Sequence, residues 1–260
     1  MKVAVCQLNV LQGDRESNLL NAEQKIDEAV LNGAEIVVLP EMWLSGYDFN
    51  NLRKHSEPLD GETSLFLSRK AKQHQIWLIG GSFTADRGDG VYNTSLSYNP
   101  SGELINTYSK MHLIGLMKED RFLKGGLDSP LFDLGSHKAS SVICYDIRFP
   151  ELMRYSAVEN ASVLFVPAQW PIQREEHWRI LLRARAIENQ FFVIGANVAC
   201  RNENDVFNGH SMIISPLGEI IAEAGSEPTI LYATLDLDSV SSVRERMPVL
   251  KDRKPELYKI

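Results

Sequence analysis

Residues 37–43 read VVLPEMW and residues 164–170 read LFVPAQW. Each is a short apolar run carrying a proline, which lacks the backbone N–H a strand interior needs. Each also finishes on a tryptophan, Trp43 or Trp170. Further out, residues 76–80 (IWLIG) are echoed by residues 191–195 (FFVIG). The segment SLSYNPSGELI from Ser95 is echoed by SMIISPLGEII from Ser211. The three pieces recur in the same order, and the last two at nearly the same offset. One such match is chance; three in register predict two similar halves. Short buried strands alternate with helical patterns, so the expected class is α/β. The architecture expected is a four-layer α-β-β-α sandwich with an internal pseudo-twofold, sheets inside and helices outside.

Element by element, residues 2–8 alternate as a strand. Residues 16–31 place Leu19, Leu20, Ile26, Ala29 and Val30 at helical spacing, with Gly33 as a stop. Residues 35–39 (EIVVL) form a buried strand ending at Pro40. A helix follows over 62–75 and a strand over 76–83. The stretch TSLSYNPSGELINTYSK from Thr94 is a β-hairpin around Asn99, Pro100, Ser101 and Gly102. No low-complexity linker separates the halves, so residues 1–260 are read as a single domain. Residues 248–260 (PVLKDRKPELYKI) form a polar tail, either solvated or packed on a neighbouring subunit.

The formal charge is −7, and no lysine–arginine cluster of the kind a phosphate backbone requires is present, which argues against nucleic acid. No apolar run approaches the ~20 residues that span a bilayer. The opening MKVAVCQLNV alternates like a strand and lacks the apolar core and cleavage site of a signal peptide. A cytoplasmic protein with no membrane contact is expected. The three cysteines, Cys6, Cys144 and Cys200, make neither a disulfide framework nor a Cys-x-x-Cys zinc pair. No metal and no cofactor are expected.

Residues 140–151 read SSVICYDIRFPE, an apolar strand running into Cys144 with polar, helix-forming residues after it. A nucleophile at a sharp strand-to-helix junction is exposed at the sheet end, beside free N–H groups that can bind an oxyanion. That placement is also expected to lower the thiol pKa. The plainer reading is a buried cysteine ending a strand. Glu41 sits after EIVVLP, at the carboxyl end of a buried strand, where α/β proteins carry their sites; the plainer reading is a surface loop carboxylate. Its counterpart in the repeat is Ala168, so the scaffold does not demand an acid there.

Lys110, in TYSKMHL, offers a cation for a developing oxyanion. Its loss is expected to cut turnover while leaving the protein folded. Glu119 is a second carboxylate. His112, His177 and His210 lack metal spacing and suit core or supporting places, with Cys–His pairing left open. Arg148 either grips a substrate carboxylate with its bidentate fork or pairs with Asp146 or Glu151. Trp170 and Tyr47 line a pocket or simply pack. Arg183, Arg185 and Glu188 form a helical charge network.

With LPEMWLSGY around Glu41, YSKMHL around Lys110 and CYDIRFPE from Cys144, in that order, the chain resembles the nitrilase, or carbon–nitrogen hydrolase, superfamily over essentially its whole length. The resemblance implies a Glu-Lys-Cys set: Glu41 as base, Lys110 as oxyanion stabiliser and Cys144 as thioester-forming nucleophile. Glu119 fits the family's second glutamate, and the Tyr145 backbone N–H would complete the oxyanion site. CYDIRFPE, VPAQWP and RARAIENQ look like the omega-amidase branch, which releases ammonia from monoamides of 2-oxo dicarboxylic acids such as 2-oxoglutaramate. The alternatives are an N-carbamoyl amino acid hydrolase or another aliphatic amidase or nitrilase. Outside enzymes, the alternative is a silent interaction protein on the same scaffold. The resemblance further implies a homodimer.

Overall fold

The computed structural model describes residues 1–201 and 206–258. Its first half contributes β1 (Lys2–Gln7), α1 (Arg15–Leu31), β2 (Ile36–Val38), α2 (Leu52–His55), β3 (Glu57–Pro58) and α3 (Glu62–His74). There follow β4 (Trp77–Ile79), β5 (Phe83–Asp86), β6 (Val91–Tyr98), β7 (Leu104–Ser109) and α4 (Glu119–Phe122). The second half contributes β8 (Leu131–Leu134), β9 (His137–Ser141), α5 (Pro150–Val158), β10 (Ala161–Ala168), α6 (Glu175–Asn189) and β11 (Phe192–Asn197). It closes with β12 (Ala199–Arg201), β13 (Val206–Asn208), β14 (Met212–Ile214), β15 (Ile220–Glu223), β16 (Thr229–Thr234) and α7 (Ser239–Arg246).

The repeat is visible in the pairing. In one sheet β1, β2 and β4 run parallel, then β6 and β7 continue antiparallel. In the other, β9, β10 and β11 run parallel, then β14 and β15 continue antiparallel. Helices α1 and α3 make the crossovers of one half, α5 and α6 those of the other. The chain end is stitched back to the first sheet, because β16 pairs antiparallel with β1.

Strand alternation produces the layers. Val3, Val5, Ile36 and Val38 of the first sheet share a buried cluster with Val163, Phe165, Ile194 and Ile213 of the second, so the sheets pack face to face. The alternate residues Ala4, Cys6, Val37 and Leu39 pack under Ile26 of α1 and Leu67 of α3. Leu164, Val166 and Val193 pack under Met153 of α5 and Leu182 of α6. This is the expected four-layer α-β-β-α sandwich.

Three expectations change. The strand expected over 76–83 is two strands, β4 and β5, parted at Gly80–Ser82, where Gly81 takes φ +63°. In α1 the core stripe is Asn18, Ala22, Ile26 and Ala29, and Leu20 faces solvent. Within the expected charge network, Arg185 pairs with Glu188 at 2.8 Å, but Arg183 donates instead to the Gly218 carbonyl at 3.1 Å. In the tail, Leu250 packs on the second-half core while the turn Pro255–Leu257 is exposed. No helix among the described residues is long and apolar enough to cross a membrane.

Candidate active site

Both strand ends carrying the VLPEMW and FVPAQW repeats point to one place, and their residues bond across the halves. Glu41 is fully buried, not a surface loop carboxylate. Its Oε1 accepts from Lys110 Nζ at 2.9 Å and from Asn93 Nδ2 at 2.8 Å; its Oε2 accepts from the Gln169 backbone N–H at 2.7 Å. The Gln169 side chain returns the link, donating to the Glu41 carbonyl at 3.0 Å. Gln169 is the repeat counterpart of Met42, so the pseudo-twofold itself brings these two loops together.

Lys110 follows β7 directly and is fully buried. Its N–H donates to the Asn93 carbonyl at 2.8 Å, and its ammonium also donates to Glu119 Oε1 at 2.7 Å. Glu119 opens α4 and accepts the Ile114 N–H at 2.8 Å on its other oxygen. One cation therefore lies between two carboxylates with no water-exposed face. Burial alone would drive the Lys110 proton off, but Glu119 and Glu41 outweigh it and hold the ammonium well above the ordinary lysine range. Burial raises the Glu119 carboxyl, assisted by Glu41 and opposed by Lys110.

Cys144 starts a 3-10 helix, Cys144–Arg148, three residues after β9, with φ +48°. Few non-glycine residues adopt that region, and the turn is held by Asp146. The fully buried Asp146 carboxylate accepts from the Ile143 N–H at 3.0 Å and from the Tyr108 hydroxyl at 2.8 Å. It also accepts the His112 N–H at 3.0 Å and lies 2.8 Å from His112 Nδ1. Tyr108 and His112 flank Lys110 by two residues on either side, so one carboxylate sets the Lys110 segment against the cysteine turn. His112 stacks on Phe149, with ring centroids 3.6 Å apart.

The expected depression of the thiol pKa is overturned. Burial, and then the Glu41 carboxylate, push the Cys144 thiol well above its ordinary value, with Lys110 pulling the other way. The thiol points at the Gln169 carbonyl, 3.9 Å away. The Tyr145 N–H lies in the first helical turn, beyond the reach of any intrahelical carbonyl.

A narrow cavity of about 20 Å³ opens beside Cys144, lined by Tyr145, Arg148, Trp170, Arg174, Ile114 and Met117 among others. Arg148 makes neither of the ion pairs considered for it: Asp146 is committed to Tyr108 and His112, and Glu151 is not within reach. Its guanidinium instead lies 4.7 Å over the Trp170 ring and donates to His177 Nδ1 at 3.3 Å. Tyr47 is not among the residues lining this cavity. Burial, with the Glu119 and Glu41 carboxylates nearby, raises the pKa of its buried hydroxyl.

His177 therefore supports Arg148, while His210 sits 3.2 Å from Glu223 and 3.6 Å from Glu175, away from this cluster. Asn93, Gln169 and Asp146 carry the hydrogen bonding of the site, yet the sequence did not single them out for it. Asn93 lies in a strand, VYNTSLSY, that also carries Thr94, Ser95 and Ser97, a weak signal; the contribution of Gln169 is partly backbone, which no side-chain pattern reports. Among the described residues, no cluster of three or more His, Cys, Asp or Glu side chains is arranged to hold a metal.

Comparison with known proteins agrees with this architecture. The family model for carbon–nitrogen hydrolases matches residues 2–245. The 2-oxoglutaramate amidase of Bacillus subtilis (strain 168) is 39% identical over 256 residues, covering 98% of this chain and 98% of that protein. The "Hydrolase in agr operon" of Staphylococcus aureus is 38% identical over 261 residues, the full length of both. The crystal structure of Saccharomyces cerevisiae Nit3, a member of branch 10 of the nitrilase superfamily, superposes with TM-score 0.90 at 34% identity. That match covers 99% of this chain and 97% of that one. With a family match across nearly its whole length, this chain belongs to the carbon–nitrogen hydrolase family and is a hydrolase of C–N amide bonds.

Proposed function

We propose that the enzyme hydrolyses the terminal amide of a short, linear acid amide through a Cys144 thioester, releasing ammonia, and that its substrate is a 2-oxo dicarboxylic acid monoamide such as 2-oxoglutaramate. The observation that carries this reading is Cys144 sharing one narrow cavity with Arg148, which has no carboxylate within ion-pair distance among the described residues, beside the fully buried Glu41–Lys110–Glu119 cluster. The Bacillus relative, a 2-oxoglutaramate amidase, supports the choice of substrate.

The steps follow from where protons start. Because burial and Glu41 keep the proton on sulfur, the nucleophile forms only as the bond forms: Sγ attacks the amide carbon while its proton passes to Glu41. Charge developing on the carbonyl oxygen is met by the Lys110 ammonium and the Tyr145 N–H, donors already in place and therefore needing little reorganisation. The C–N bond breaks, Glu41 returns the proton to nitrogen, and ammonia leaves. A water then enters, Glu41 takes its proton, and attack on the thioester releases the acid as sulfur recovers the proton. Glu119 steadies the Lys110 head throughout. Arg148, with Trp170 beneath it, takes the substrate carboxylate.

The test is ammonia release from 2-oxoglutaramate, glutamine, N-carbamoyl amino acids and simple nitriles, with Cys144→Ala as control. The expected outcome is fastest release from 2-oxoglutaramate, lost in Cys144→Ala. Preference for a substrate without a free carboxylate removes the role given to Arg148; no release from any amide removes the proposal.

A further inference from the structure

Two arginines line the cavity beside Cys144. Arg174 ends the 3-10 turn Ile172–Arg174 and lines the same cavity as Arg148. Its backbone is tied to the cavity wall twice: its N–H donates to the Pro171 carbonyl at 3.0 Å, and its carbonyl accepts the Trp170 indole N–H at 2.7 Å. The adjacent acid, Glu175, does not serve it. Glu175 accepts from Asn208 Nδ2 at 2.8 Å and lies 3.6 Å from His210. Among the described residues, neither Arg148 nor Arg174 has a carboxylate within ion-pair distance. Burial, and then the Arg174 charge, press the Arg148 guanidinium below its ordinary range, against the Tyr145 side chain. Like charges held together with no counter-charge cost free energy, and a bound anion relieves that cost.

The cavity geometry says where that anion belongs. Arg148 and Arg174 line the same narrow cavity as Cys144, so a substrate whose amide meets the thiol brings its far end within reach of the two arginines. Building on the acid-amide reading above, we infer that Arg174 is a specificity-determining residue: it forms an anion-reading pair with Arg148 and selects amides whose far end carries a carboxylate beside a further acceptor oxygen. One guanidinium fork satisfies one carboxylate edge. A second cation alongside suits an end group with more acceptor oxygens than a lone carboxylate offers, as in a 2-oxo acid.

Two substrates of equal length isolate the charge: the monoamide of the five-carbon dicarboxylic acid and its diamide, which differ only in carboxylate against carboxamide. In wild type the monoamide is expected to have the higher kcat/KM. In Arg174→Gln the monoamide-to-diamide ratio should fall roughly tenfold, chiefly through KM, as loss of a hydrogen bond to a charged group implies. Arg174→Lys should restore part of it. An unchanged ratio, including a parallel loss on both substrates, overturns the inference. A second measurement does not depend on turnover: titration of 2-oxoglutarate into Cys144→Ala, with and without Arg174→Gln, followed by calorimetry. About tenfold weaker binding in the double variant supports the pair, and equal binding overturns it. Failure of the functional reading appears separately, as a wild type that releases no ammonia from acid amides.

Discussion

Lys110 keeps its charge at zero exposure because two carboxylates receive it, at 2.9 Å and 2.7 Å. This revises the expectation that the side chain could be removed at the expense of turnover alone. Lys110→Met would leave Glu41 and Glu119 buried without their cation, and breaking a buried pair costs about 3–5 kcal/mol. Urea denaturation should show a loss of that order beside the loss of activity; wild-type stability would mean that the site readily admits water. Cys144 makes a second residue-scale point. Its turn geometry argues for a reactive thiolate, whereas burial and Glu41 hold the proton on. A raised thiol pKa places the thiolate at higher pH, so inactivation by iodoacetamide should be slow near neutrality and climb through a midpoint above the free-thiol value of ~8.5. A midpoint below ~8 would contradict the raised thiol.

At the scale of elements, two breaks in regular structure position the chemistry. The first is the turn at Cys144. The second is the break between β4 and β5, whose residues grip the Glu41 loop on both sides. Ser82 N–H donates to the Pro40 carbonyl at 3.1 Å, the Ser82 hydroxyl accepts the Met42 N–H at 3.0 Å, and the Trp43 indole donates to the Gly80 carbonyl at 2.8 Å. Gly81 allows this approach: a Cβ there would sit 2.1 Å from the Pro40 oxygen, on a backbone already at φ +63°. Gly81→Ala combines a left-handed penalty of roughly 1–2 kcal/mol with overpacking of about 1–3 kcal/mol. It should lower the denaturation midpoint clearly and reduce kcat by displacing Glu41. A variant as stable as wild type would show that the loop yields without cost.

At the scale of the whole molecule, the site belongs to neither half. Glu41, Asn93, Lys110 and Glu119 come from one, Cys144 and Gln169 from the other, and the shared bonds form where the two repeat loops meet. The two sheets are locked by their common core and by β16 returning to β1. On the outer layer, Tyr155 and Val158 of α5 and Ile180 and Ile187 of α6 stay exposed, which leaves apolar surface for the homodimer that the resemblance implies. Light scattering should give twice the chain mass; a single-chain mass across micromolar concentrations would rule the dimer out.

The α/β class and the internal repeat were legible in the linear sequence, and its motifs pointed to Glu41, Lys110, Glu119 and Cys144, which the fold gathers in one place. Strand alternation, helical spacing and motif residues are local properties that survive without the fold. The split of residues 76–83 was not legible, because it depends on a close approach to Pro40 from elsewhere in the chain. The parts of Asn93, Gln169, Asp146 and Arg174 were hidden for the same reason: each acts through partners distant in sequence or through a backbone N–H. Above all, the direction of the Cys144 shift was decided in three dimensions. A sequence can place a thiol at the head of a helix, but only packing determines whether water or a buried carboxylate surrounds it, and that sets where the proton rests.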